Sequence, residues 1–180
     1  QYVEGRTAPG IGVYAQIISD AMKQAFSAHG LPLPRLIIEP GRSSVARAGV
    51  ALYTVGAIKE IPGVRKYVSV DGGMADNIRP ALYQAKYEAV LANRMDAPPT
   101  ETVTIAGKYC ESGDILIADL HAPELGPGDL LALPASGAYC LAMSSNYNAS
   151  PRPAVVLVKN GTARLIRRRE TYEDLMQWDE

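Results

Sequence analysis

Disulfides, metal clusters, membrane spans and excess charge are all missing from this sequence, and each absence narrows the chemistry. Cys110 and Cys140 are the only two cysteines, too few for a disulfide scaffold. No His or Cys group has metal-ligand spacing. No apolar run reaches the roughly 20 residues that cross a bilayer. No secretory signal is visible, although the chain opens on Gln1 rather than Met. A reducing cytoplasm is the expected compartment. The 18 basic and 19 acidic residues leave a net charge of -1, with no footprint for nucleic acid or an anionic membrane. Arg164, Arg167, Arg168 and Arg169 form the one basic cluster, and Glu170, Glu173 and Asp174 follow at once, so it reads as a solvated strand end.

What is present is ordinary globular material. The 180 residues are 47% hydrophobic and 21% charged, enough to bury a core in one or two domains. Residues 12–29 set Val13, Ile17, Ile18, Ala21, Met22, Ala25 and Phe26 on one helical stripe, and Gly30 supplies a left-handed stop. Leu36-Ile37-Ile38 reads as a short parallel strand buried on both faces, ending in Glu39-Pro40-Gly41-Arg42 at the tip where α/β barrels carry reactive groups. Residues 1–45 are therefore expected to be the last helix–strand portion of an α/β barrel.

Residues 46–180 have a different texture. Strands are predicted at Gly49–Ile58, Lys66–Val70, Tyr87–Leu91, Thr102–Ile105, Ile115–Ala118, Leu130–Leu133 and Ala138–Met143, with a short helix near Asn77–Gln84. Val155–Lys159, Asn160-Gly161 and Ala163–Arg167 spell a hairpin, and Thr171 with Asp174 opens a last helix. The predicted fold is a mixed one, an incomplete α/β barrel followed by a β-sandwich or barrel.

Four patterns carry chemistry: Glu39-Pro40-Gly41-Arg42, Arg79-Pro80-Ala81-Leu82-Tyr83, Cys110-Glu111-Ser112-Gly113-Asp114 and Ser136-Gly137-Ala138-Tyr139. Arg79 and Tyr83 are four apart and share a helix face, and a bidentate guanidinium with a phenol reads a carboxylate. Taken alone, the same pair suits a surface Arg and a packing Tyr. Cys110 lies in a polar loop, as a reactive thiol should, whereas Cys140 lies in the apolar YCLAM run and is expected to be inert. Read alone, EPGR is a turn with a Glu–Arg ion pair.

In this order the patterns resemble the C-terminal signature of the alanine-racemase-like decarboxylases that use pyridoxal 5'-phosphate (PLP). Members act on diaminopimelate, ornithine and arginine. Glu111 and the RPALY run make the sequence most similar to the members acting on meso-2,6-diaminopimelate, which form L-lysine and CO2 in lysine biosynthesis. That resemblance implies cofactor contacts from Glu39, Pro40, Gly41, Arg42 and Tyr139. It implies substrate contacts from Arg42, Arg79, Tyr83, Glu111 and Tyr139, with Cys110 as the catalytic proton donor. It also implies a homodimer in which Cys110 and Glu111 reach the partner's site. Other readings are a sister enzyme for arginine, ornithine or carboxynorspermidine, and a silent regulatory homologue. Family members hold PLP through a lysine on the first barrel strand. None of Lys23, Lys59, Lys66, Lys86, Lys108 and Lys159 matches that motif, so the chain is expected to be a piece of the enzyme, inactive alone.

Overall fold

The computed structural model describes residues 8–180, which divide into two compact units, residues 8–41 and 42–180. The first is a helix and an extended segment. Helix α1 runs Ile11–Ala28 and ends in a Schellman turn: the Leu31 N–H donates to Phe26 O at 2.9 Å and the Gly30 N–H to Ser27 O at 3.1 Å, with Gly30 at φ +63°. The amphipathic stripe is present, yet none of its residues is fully buried. Leu36-Ile37-Ile38 departs from expectation. It is extended but belongs to no strand, and all three side chains are half-exposed or more. A strand is defined by its ladder, and no other strand among the described residues of this unit offers one.

The second unit opens with a short helix α2 (Gly41–Val45) and a single 3-10 turn at Ala46–Ala48. Strands β1 (Ala51–Ile61), β2 (Arg65–Val70), β3 (Val90–Leu91), β4 (Glu101–Ala106), β5 (Ile115–Ala122) and β6 (Leu130–Leu133) form one sheet in the order β3-β6-β1-β2-β4-β5. Every pairing is antiparallel except β2 with β4, which is parallel. Of the two expected forms, sandwich or barrel, the six strands take the second in part: they make one sheet, curled as a half-barrel. Its concave side carries one continuous core, with Tyr53 and Val55 from β1, Val68 from β2, Leu91 from β3, Ile105 from β4, Leu120 from β5 and Leu133 from β6. A flat sheet would hold its edge strands about 24 Å apart, five spacings of roughly 4.8 Å; curling lets both edges feed one cluster. Each fully buried aliphatic side chain contributes about 1.5–3 kcal/mol.

Two further expectations change. Tyr87–Leu91 shrinks to the two residues of β3, and Tyr87 instead buries its ring in the core, its hydroxyl 3.5 Å from Cys140 Sγ. Ala138–Met143 is not a strand: Tyr139 sits at φ +61° and Leu141–Met143 is a 3-10 turn. The cause is tertiary. Gly137 crosses the chain after α2 so closely that a Cβ there would lie 2.0 Å from Val45 O, and Gly49 meets the same backbone. The Gly137 N–H donates to Ala46 O (3.0 Å) and the Ser136 N–H to Gly49 O (2.9 Å), so this segment spends its hydrogen bonds on the crossing rather than on a ladder.

After the sheet, β7 (Val155–Lys159) and β8 (Thr162–Arg167) form the predicted hairpin, with Asn160 and Gly161 at φ +50° and +74°. Helix α3 (Arg79–Tyr83) lies between β2 and β3, and α4 (Tyr172–Met176) closes the chain on the Thr171–Asp174 capping box.

Candidate functional site

The β2–β3 connection builds the first half of the site. After the Asp71-Gly72-Gly73 turn the chain makes one tight turn, in which the Asp76 and Asn77 N–H groups donate to Gly73 O at 3.1 and 3.0 Å. Pro80 then starts α3, and Gln84 ends it in the left-handed region at φ +53°. Asp76 anchors the approach from below: it accepts from the Tyr53 hydroxyl at 2.5 Å and the Gly73 N–H at 3.0 Å. Burial pushes its carboxyl above the usual range against the pull of both donors, and burial beside Asp76 raises the Tyr53 phenol strongly. So the turn leading into α3 is pinned by a desolvated hydrogen-bonded pair.

Arg79 is 9% exposed, and its guanidinium lies 4.9 Å from the Tyr83 ring centroid and 5.4 Å from that of Tyr139. The Arg42 guanidinium, from α2, lies 5.7 Å from the same Tyr139 ring. The crossing of Gly49 and Gly137 delivers this meeting, since it brings the chain after α2 against the segment that carries Tyr139. Tyr139 is 39% exposed and holds a left-handed backbone that costs a non-glycine residue about 1 kcal/mol or more. Each cation–ring contact returns about 0.5–1 kcal/mol. Two guanidiniums thus meet at one half-exposed ring, and guanidinium is the side-chain group best shaped to bind a carboxylate or phosphate.

Cys110 and Glu111 stand in a second group, on the β4–β5 loop. Its root is fixed by Asp114, which is buried and accepts from the Met74 N–H at 2.7 Å and the Tyr109 N–H at 2.8 Å. Cβ atoms at Gly73 or Gly107 would strike this carboxylate, so both positions leave room for it. Burial raises the Asp114 carboxyl, partly offset by its two backbone donors. The tip is open: Cys110, Glu111 and Ser112 are exposed. Glu111 Oε1 accepts from the Tyr147 hydroxyl, and Tyr147 packs edge-on to Tyr109 with centroids 5.6 Å apart. Gly113 faces Ala81, so the loop runs alongside α3.

The structure thus brings Arg42 and Arg79 to the Tyr139 ring, with Tyr83 against Arg79, and sets Cys110 and Glu111 on a neighbouring loop. Glu39 and Pro40 belong to the first unit and are exposed, and the Gly41 N–H donates to Glu39 O at 3.0 Å. Cys140 is buried, with its thiol pushed up by desolvation. Sequence reasoning missed Asp76, and it gave no role to Asp114 or to Tyr147. Asp114 closes the CESGD motif and was legible as a charge flanked by glycine in a strand loop. Tyr147 lies in the Asn146-Tyr147-Asn148 run, which is part of the family resemblance, but its partner Glu111 lies 36 positions away and no local pattern names it.

Comparison with known proteins gives one family throughout. Residues 13–137 match the family model "Pyridoxal-dependent decarboxylase, C-terminal sheet domain". The chain is 58% identical over 166 residues, 92% of its length, to the diaminopimelate decarboxylase of Bacillus subtilis, and 44% identical over 180 residues to that of Mycobacterium tuberculosis. It spans 38% and 40% of those relatives. Among solved structures, a diaminopimelate decarboxylase from M. jannaschii in complex with L-lysine superposes with a TM-score of 0.89 at 40% identity, covering 99% of this chain and 40% of that one. The Helicobacter pylori enzyme with L-lysine gives a TM-score of 0.80 at 35% identity, covering 97% of this chain and 41% of that one.

Proposed function

Because this chain belongs to the pyridoxal-dependent decarboxylases, we propose that the complete protein decarboxylates meso-2,6-diaminopimelate to L-lysine and CO2, as a PLP-dependent homodimer in the cytoplasm. The observation that carries this reading is the convergence of Arg42 and Arg79 on Tyr139. A substrate with an amino acid head at each end needs one reader for the reacting head and a second for the distal one. Arg79, set against the Tyr83 ring, binds the distal carboxylate together with Tyr83. Glu111 accepts from the distal ammonium, which an ornithine-type substrate offers without the carboxylate.

By chemistry alone the residues named suit PLP: guanidiniums and a phenol for anionic groups, a glycine for close backbone approach, and a carboxylate. Glu39 would hold a proton at the ring nitrogen. Pro40, Gly41, Arg42 and Tyr139 would grip the cofactor, and Arg42 and Tyr139 also meet substrate. When bound, PLP supplies the electron sink that takes up the pair left behind as CO2 departs. Cys110 Sγ then donates a proton to the carbon that lost CO2. Cys110 and Glu111 serve the partner subunit's site in this reading, which agrees with their place on an exposed loop tip. In this reading the segment up to residue 45, of which residues 1–7 lie outside the described ones, is the closing part of an α/β barrel that holds the anchoring lysine, and residues 46–180 are the β domain.

Substitution of Arg79 in the complete protein tests the proposal. Arg79→Ala should lower kcat/KM for diaminopimelate about 100-fold, the size expected for a lost charge-assisted pair. Unchanged diaminopimelate turnover, or faster turnover of ornithine or arginine by the parent, would overturn it.

A further inference from the structure

Glu111 does not stand alone at its loop tip, and the contact that holds it comes from a segment with no assigned role. Residues 144–152 form a loop between the sheet and the β7–β8 hairpin, and its shape is over-determined. Asn146 Nδ2 donates to Ser150 O (3.1 Å) and to Glu170 Oε2 (2.6 Å). Arg152 donates to Glu170 twice, from its backbone N–H (2.8 Å) and from Nη1 (3.0 Å), and its Nε reaches Ser144 O at 3.3 Å. The Ser145 N–H donates to Ala75 O (2.8 Å), which ties the loop to the turn preceding α3. These donors hold the Glu170 carboxyl down at about 2.

Inside that frame the backbone is strained. Asn148 and Ala149 are both left-handed, at φ +52° each. Asparagine tolerates this conformation, but alanine does not without cost. Strain kept in place by a surrounding net of bonds marks a segment whose shape matters. The residue immediately before it is Tyr147, whose hydroxyl donates to Glu111 and whose ring packs on Tyr109 at the root of the same loop.

We infer that Tyr147 is a positioning residue: it fixes the Glu111 carboxylate in the orientation that receives a substrate ammonium, and the 144–152 loop with Glu170 exists to hold Tyr147 there. The inference rests on the substrate role proposed for Glu111. A carboxylate with one oxygen engaged by a phenol loses its rotational freedom while the other oxygen keeps its acceptor sites. Pre-ordering of this kind lowers the entropy that substrate binding must overcome. Glu111 in turn raises the Tyr147 phenol, which keeps it protonated and donating through the neutral range.

The test uses the complete enzyme and two readouts. Tyr147→Phe removes a single oxygen at a partly exposed site. It should raise KM for diaminopimelate about fivefold, with kcat changed less than KM. Glu111→Gln should raise KM further, and the double variant should bind no worse than Glu111→Gln alone, because the contact is already gone. Independently, the phenol absorbance that disappears in Tyr147→Phe should titrate at lower pH in Glu111→Gln than in the parent. Four results would overturn the inference: an unmoved phenol titration, fully additive KM effects, a parent-like KM in Tyr147→Phe beside a raised KM in Glu111→Gln, or an unchanged KM in Glu111→Gln. The last, with a phenol titration that still moves, locates the failure in the substrate assignment rather than in the contact.

Discussion

Residues 8–41 and residues 42–180 are both rich in well-patterned apolar side chains, yet they end in opposite states. In the first unit Ile11 is 78% exposed, Ile17 62% and Ile37 74%. In the second, Val68, Ile105 and Leu133 are wholly buried. The difference lies in partners and not in composition. The sheet curls and supplies both walls of its own core, whereas α1 and the 33–38 segment leave between them only an open groove lined by Ile18, Met22, Leu36 and Ile38. Amphipathic spacing names the face to be covered; it does not supply the cover.

Hydrogen exchange should separate the two units most sharply. The Ile105 amide, in a strand paired on both sides, should exchange at least about 1,000-fold more slowly than amides in the middle of α1. Equal protection would break the comparison. Truncation should sharpen it next: in the 180-residue chain taken by itself, Ile105→Ala is expected to cost about 3 kcal/mol in denaturant unfolding, and Ile37→Ala less than about 0.5 kcal/mol. The smallest effect concerns acid. Asn93, Arg94 and the Gly126 N–H hold the Asp129 carboxyl down at about 2. A folded value below the unfolded one stabilises the protein above about pH 4, and that contribution fades as pH falls through 2. Solvent screening holds it to about 1 kcal/mol. Asp129→Asn should remove this part of the acid sensitivity, measured by urea melts at pH 7 and pH 3.

Legibility followed the range of the forces involved. Leu130–Leu133 matches its prediction residue for residue, as do the Asn160-Gly161 turn and the Thr171 cap, because each is decided by neighbours in sequence. β5 runs past its predicted end at Ala118 because Asp119, at φ +55°, absorbs an irregularity in the pairing with β4. Tyr139 could not be read correctly from the YCLAM run, since its conformation is imposed by a backbone crossing at Gly49 and Gly137. The same holds for the site: Arg79 and Tyr83 were readable as a helical pair, but the approach of Arg42 to Tyr139 depends on that crossing. Asp76 was overlooked and Asp114 was left without a role because buried carboxylates look like turn residues until their backbone donors are known.

The parallel pairing of β2 with β4 has a consequence for how fast the chain folds. A parallel pair cannot be closed by a tight turn, so the whole of residues 71–100 must loop over before the ladder forms. Closing a loop of that length costs about 3 kcal/mol of chain entropy before any contact repays it. The crossover is also the segment that carries α3. Refolding of this domain should therefore be slow for its size, governed by sequence-distant contacts, and Arg79 should reach its place only as that late closure completes.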